Sequence, residues 1–270
     1  MAASTSDLIR TAIERFQAEV PALANLKLVF GLELKAKHDI QLYRVELPGP
    51  QIKKDLAQDE RILVEIDRPQ FNELAQLCDR LEIDVWEVID AASSKPFGFM
   101  RFDPGPGMGG HCLPVDPFYL AFKARQFDFY PEFIELAGKV NQAQPGFCVE
   151  RIERALNGVR KPVNGSRVLI LGVSYKGGVG DTRESPALKI IGRLQDLGAD
   201  VSYHDSFVPE LRGHELTSVD LEQGLREVDL VAIVTAHPDV DYEQVVATAP
   251  LTIDFRGVTR SIEADNLLRL

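Results

Sequence analysis

Positive charge, cysteine and long apolar runs are all scarce in this chain of 270 residues, and each shortage closes off a class of function. The 30 lysines and arginines stand against 41 carboxylates, for a formal net charge of −11. That balance argues against nucleic acid as a partner, although a nucleotide can still be held by a few local cations and backbone N–H groups. Cys78, Cys112 and Cys148 are odd in number and share no metal-ligand spacing, so neither a disulfide framework nor a metal site is expected. No apolar run approaches the ~18 residues of a membrane span. The opening Met1-Ala-Ala-Ser-Thr-Ser-Asp7 has neither the basic region nor the apolar stretch of an export signal, so no membrane contact and a cytoplasmic location are the expectations. What is present, 45% hydrophobic residues, suits a globular chain of one or two domains with a real core.

One stretch stands out from that background. Phe102-Asp-Pro-Gly-Pro-Gly-Met-Gly-Gly-His-Cys-Leu-Pro-Val-Asp-Pro117 places a lone cysteine in a segment too rich in glycine and proline to be a packing element. Such a backbone can fold tightly around a ligand, because glycine removes the Cβ that blocks close approach and proline fixes φ. Asp116-Pro117 ahead of Phe118, Tyr119, Leu120 and Phe122 reads as an N-cap and first-turn proline opening a helix. Cys112 then lies just upstream of a helix N-terminus, where the dipole would favour the thiolate if the loop folds back over it.

Along the rest of the chain the hydrophobic period changes twice. Residues 8–20 repeat at helical spacing, whereas Leu26–Leu34, Ile40–Leu47 and Ile62–Ile66 alternate as strands of a one-sided antiparallel sheet. Helical stripes return from Phe71 and from Asp84, with Trp86 read as core. Pro131 to Gly158 forms one long helical segment of about 42 Å, with a kink expected near Pro145. Its apolar face exceeds what one small domain can cover, which points to a homodimer through residues 131–158.

From Gly165-Ser166 onward, strand and helix alternate: Val168–Leu171, a helix from Ser185-Pro186 to Leu197, Asp200–His204, a helix near 220–226, Leu230–Thr235, a helix near 242–249, and Leu251–Phe255. Repeating β-α units predict a Rossmann-like parallel sheet with its binding crevice at the carboxyl ends of the strands. The whole is thus expected to be α/β: an α+β module over 1–70, an all-α central region over 71–160 with the long helix, and the Rossmann-like domain over 161–270.

The string Pro104 to Asp116 resembles the nucleophile loop of the UDP-sugar 6-dehydrogenases, in particular the branch acting on UDP-N-acetylglucosamine and its relatives. Asp84-Val-Trp-Glu-Val-Ile-Asp90, Lys95-Pro-Phe-Gly-Phe-Met100, Arg183-Glu-Ser-Pro-Ala187 and Asp254-Phe-Arg256 carry the likeness to the C-terminus, over roughly 200 residues. The resemblance implies NAD-dependent oxidation of a UDP-hexose to its uronic acid, an activity of polysaccharide biosynthesis. It gives Cys112 the role of nucleophile and Asp116 that of the carboxylate ordering the nearby water and cation. Phe102, Gly109, Gly110, Lys176 and Arg256 become substrate-binding residues, and Arg183 becomes the arginine reaching the cofactor pyrophosphate. Two phosphate charges on the substrate make lysine and arginine at strand ends the natural counterparts.

Several departures accompany the likeness. Counting back from Asn72-Glu73-Leu74 places the family's catalytic lysine at Ala57 and its active-site asparagine at Arg61, in a stretch patterned as a strand. Lys53 or Lys54 would have to reach in from another register. Gly178 and Gly180 stand where acidic residues are expected, with Asp181 retained, and residues 1–70 contain no glycine fingerprint between a strand and a helix, hence no evident NAD site. A non-catalytic UDP-sugar-binding protein is therefore the alternative reading. A helix followed by a meander also resembles sterol-carrier-type lipid-binding domains, which leaves lipid binding open for the front module.

Overall fold

The computed structural model describes residues 27–29, 44–46, 69–94, 100–110, 114–211 and 213–270. The chain divides into two compact units, residues 1–61 and 62–270. In the first, β1 (Lys27–Val29) and β2 (Arg44–Glu46) pair antiparallel with Leu28 opposite Val45, in line with the alternation read from both segments. The expected helix over 8–20 and the strand Ile62–Ile66 lie outside the described residues.

The second unit is built on a five-stranded, wholly parallel sheet in the order β4-β3-β7-β8-β9. These strands are β3 (Arg167–Leu171), β4 (Asp200–His204), β7 (Leu230–Ile233), β8 (Thr252–Asp254) and β9 (Leu267–Arg269). A two-stranded hairpin, β5 (Glu210–Leu211) with β6 (Leu216–Thr217), follows β4. Strands β3 and β7 carry unbroken apolar runs because both faces are covered. The pleat sends alternate side chains to opposite layers. Val168, Ile170 and Ala232 join the cluster that holds Trp86, Ile152 and Ile190, while Leu169, Leu171, Val231 and Ile233 pack with Leu225, Val245 and Ala249.

The helices follow the punctuation of the sequence. A helix over residues 69–81, α1, is followed by α2 (Val85–Ser93), whose N-cap Asp84 accepts from the Trp86 N–H at 2.7 Å. The helix α3 (Asp116–Arg125) departs from expectation: Val115 holds the cap position without a side-chain bond, and Asp116 sits inside the first turn with Pro117. Its charge still faces the positive end of the helix. Next come α4 (Glu132–Gly158), α5 (Pro186–Asp196) capped by Ser185, and the short α6 (Leu221–Arg226) and α7 (Tyr242–Thr248), capped by Asp220 and Asp241.

The helix α4 is unbroken across 27 residues with Pro145 inside it. Its second half is buried against the sheet layer through Cys148, Val149, Ile152, Ala155 and Leu156. The apolar excess is thus confined to the first half and the adjoining helix. Phe133 is 76% exposed, Tyr119 70% and Phe122 65%, and Phe129 and Tyr130 between the two helices are exposed as well.

One carboxylate fastens three elements of this layer. Asp79 on α1, nearly buried, pairs with Arg151 and, at 2.6 Å, with Arg154 of α4, and Arg151 also donates to the Arg269 carbonyl on β9. Burial and the neighbouring Arg154 charge hold the Arg151 guanidinium below its ordinary pKa, so the counter-ion carries weight. Removing one partner of a buried pair strands the other charge, typically at about 3–5 kcal/mol. Asp79→Ala should lower the unfolding free energy by about 3 kcal/mol in urea denaturation, and a loss under ~0.5 kcal/mol, the scale of a surface pair, would show that the clamp does not hold.

Candidate functional site

Strand order in the sheet reverses between β3 and β7: β3 leads out to β4 at one edge, and β7 leads to β8 and β9 on the other side. Loops leaving such a switch point diverge and open a crevice at the carboxyl ends of the strands. Four exits line this edge: 172–183 after β3, 205–207 after β4, 235–239 after β7 and 254–259 after β8.

Buried carboxylates turn two of these exits. Asp254 receives the N–H groups of Arg256, Gly257 and Thr259 at 2.7, 2.9 and 2.8 Å and the Thr259 hydroxyl at 2.7 Å. Asp205 receives the Val173, Ser174 and Phe207 N–H groups at 2.8, 3.1 and 2.9 Å. Burial opposes the charge on Asp205, but the bond from His237 and those from Val173 and Ser174 outweigh it and hold the carboxyl below the usual carboxylate range.

The glycine-proline loop crosses this edge from the helical side. Its entry is anchored by Phe102, buried, with its ring edge-on to Phe71 at 5.8 Å. Two asparagines then grip the backbone: Asn72 accepts from the Gly105 N–H at 2.9 Å and Asn141 from the Met108 N–H at 2.6 Å. Pro145 has no N–H to give the Asn141 carbonyl one turn back, and that carbonyl faces Gly107. At the far end the Gly110 N–H donates to the Arg183 carbonyl at 2.9 Å. A Cβ on Gly109 would lie 2.7 Å from both the Glu184 carbonyl oxygen and the Tyr175 Cβ. Only glycine fits there.

Of the residues singled out from the sequence, Phe102, Gly109, Gly110, Lys176, Arg183 and Arg256 gather along this edge. Arg256 packs over Gly105, its Nη1 2.7 Å from where a Cβ on that glycine would sit. Arg183 is paired with Asp181 through two nitrogens, the closer contact being 2.6 Å. Lys176 is exposed at the crest of the β3 exit. Cys112 lies outside the described residues, two positions beyond Gly110, as do the counterparts Ala57 and Arg61. Asp116 begins the helix that follows. Asn72, Asn141, Asp205 and His237 are additions that sequence reasoning did not single out, since asparagines and buried carboxylates inside apolar patterns carry no spacing signature.

As for a dinucleotide, the described residues do not form its usual cradle. The stretch from Leu171 to Pro186 winds through a long turn before α5 begins, and the α5 N-terminus is already closed by the Ser185 side chain. Arg183 is the one described residue assigned to the cofactor.

An α/β chain with a crevice at a switch point of its parallel sheet has the architecture of a nucleotide-binding fold. Comparison with known proteins identifies the group. Residues 68–143 match the central domain, and residues 169–261 the UDP-binding domain, of the UDP-glucose/GDP-mannose dehydrogenase family. The chain belongs to this family, whose members are NAD-dependent dehydrogenases. It is 34% identical over 168 residues to a UDP-N-acetyl-D-mannosamine dehydrogenase of Methanocaldococcus jannaschii, covering 62% of this chain and 36% of that one. It is likewise 34% identical over 200 residues to an NDP-N-acetyl-D-galactosaminuronic acid dehydrogenase of Ralstonia solanacearum, covering 69% and 43%. Among solved structures, a UDP-D-ManNAc dehydrogenase from Pyrococcus horikoshii superposes with a TM-score of 0.68 at 28% identity, over 78% of this chain and 49% of the other. A UDP-glucose dehydrogenase from Pyrobaculum islandicum gives 0.70 at 27%, over 81% and 51%. The chain spans about half or less of the length of these relatives.

The two described cysteines are poor nucleophiles. Burial raises the thiol pKa of Cys78, helped by the Asp84 charge, and raises that of Cys148 further, against a smaller opposing effect of Arg256. Iodoacetamide at pH 8 should therefore alkylate Cys112 in the native protein and leave Cys78 and Cys148 unmodified, as read by peptide mass spectrometry. Equal labelling of all three would contradict both the burial and the role given to Cys112.

Proposed function

We propose that this chain supplies the nucleotide-sugar-binding and nucleophile-bearing part of a UDP-hexose 6-dehydrogenase, acting on a UDP-N-acetylhexosamine and yielding the uronic acid. The observation that carries this reading is the convergence of Lys176 and Arg256 with the glycine-proline loop on one crevice of the sheet. Lysine and arginine at strand exits suit a pyrophosphate, and the loop that holds Cys112 enters beside them. In this reading the Cys112 thiolate adds to a C6 aldehyde, forming a C–S bond while the carbonyl π pair moves to oxygen. Asp116 orders the neighbouring water and cation, and NAD, the hydride acceptor in this family, is held chiefly by residues other than those described. With alanine at position 57 the oxyanion lacks the family's lysine; loss of one such group typically costs about 100-fold to 1,000-fold in rate. Binding without turnover is the second reading, favoured by that substitution. Lipid binding by residues 1–70 would be a separate activity and does not bear on this crevice.

Calorimetry separates these claims. UDP-N-acetylglucosamine should bind with a Kd on the order of micromolar, about −8 kcal/mol, and protect Cys112 from alkylation, while NADH should not bind. Saturable NADH binding at micromolar concentration would overturn the reading of residues 1–70, and absence of any UDP-sugar binding would overturn the assignment of the crevice.

The exposed aromatic face of α3 and the first half of α4 supports a homodimer, because apolar patches of this size commonly mark interfaces. Light scattering at tens of micromolar, far above a ~nanomolar interface constant, should give twice the chain mass. Phe133→Glu should return the monomer. A monomeric parent chain rules the interface out.

A further inference from the structure

At the centre of the crevice floor lies a buried polar cluster that neither the family match nor the phosphate-binding cations account for. His237 is 2% exposed and Asp205 and Ser174 are equally buried. The His237 Nε2 lies 3.0 Å from an Asp205 carboxylate oxygen and 3.2 Å from the Ser174 hydroxyl, and its Nδ1 accepts from the Gly178 N–H at 3.1 Å. That last bond fixes the chemistry. A nitrogen that accepts carries no proton, so the ring is neutral, with its single proton on Nε2 and directed at Asp205. The Ser174 hydroxyl donates to the Lys176 carbonyl at 2.9 Å. The imidazole thus holds the loop backbone directly at Gly178, and the Ser174 hydroxyl packed beside the ring holds it at Lys176.

We propose that His237 is a positioning residue for nucleotide-sugar binding: its neutral ring, oriented by Asp205, holds the Lys176–Gly178 backbone in the shape that presents Lys176 to the phosphates. This deepens the reading under Proposed function and rests on it. The ring and the backbone of His237 are each held by a neighbour. Phe207 stacks on the ring at 4.9 Å, and the Tyr242 hydroxyl accepts from the His237 N–H at 2.8 Å and donates to its carbonyl at 3.0 Å. Around it, Asp205 accepts from the ring, Tyr242 is kept a neutral phenol by burial that pushes its pKa up to about 12, and Asp239 is bonded to Ser206 at 2.5 Å.

The test is calorimetry with UDP-N-acetylglucosamine at pH 8.0. His237→Asn keeps an acceptor near the Nδ1 position and should bind within about fivefold of the parent chain. His237→Phe should fold, by circular dichroism, and lose tenfold or more. Long-range ¹⁵N NMR of the ligand-free chain should show Nδ1 as the unprotonated nitrogen at pH 8.0. A protonated Nδ1 at that pH, an Asn variant that binds as weakly as the Phe variant, or a Phe variant that binds like the parent would each overturn the role of His237 alone. No binding by the parent chain would instead remove the functional reading on which the role rests.

Discussion

A parallel sheet delivers all its strands to one edge, and the backbone that leaves there must turn at once without stranding its N–H groups. Here that constraint is met by carboxylates set into the core. Asp254 closes the exit of β8 with four hydrogen bonds, and Asp205 takes N–H groups from its own exit and from that of β3. Because these oxygens are fixed by several donors each, the loops around them are fixed too. Arg256 and Ser174 both donate their main-chain N–H groups to these carboxylates. A buried carboxylate with full hydrogen bonding is tolerated where an unpaired one is not.

The glycine-proline loop meets the same edge under a different constraint. The buried Phe102 holds its entry, and beyond that amide side chains and backbone contacts hold it. Asn72 and Asn141 come from separate helices and bond to positions three residues apart, and Gly110 is tied to the turn at Arg183. Pro145 contributes by what it lacks. A residue with an N–H there would draw the Asn141 carbonyl into the helix ladder, whereas proline leaves it directed at the loop without interrupting α4.

Much of this was legible in the sequence. The strands at 167–171 and 200–204 and the helix opened by Ser185-Pro186 lie within a residue or two of their expected places, because apolar runs and capping side chains are local signals. The strand Leu267–Arg269 was not anticipated: three residues at the end of a chain, pairing only with β8, give no period to read. Asp116 was read as a cap because aspartate precedes proline there, but Val115 takes that position and Asp116 the first turn. The long helix was expected to carry one apolar stripe in need of a partner; in fact its second half is covered by its own sheet layer, which no one-dimensional pattern distinguishes from exposure. The grip of Asn72 and Asn141 was invisible for the same reason, being a contact across 33 positions.

Gly178 and Gly180, where the resemblance implies acidic residues, each have a physical account. Gly180 has the Phe207 carbonyl oxygen 2.4 Å from where its Cβ would be, so no side chain of any charge could occupy that position with the backbone as it is. Gly178 has φ of +74° and open space beside it. What excludes an acidic side chain there is backbone conformation, since left-handed φ disfavours residues with a Cβ. The loop trades acidic side chains for a close backbone path, and on that path the Gly178 N–H is brought to His237.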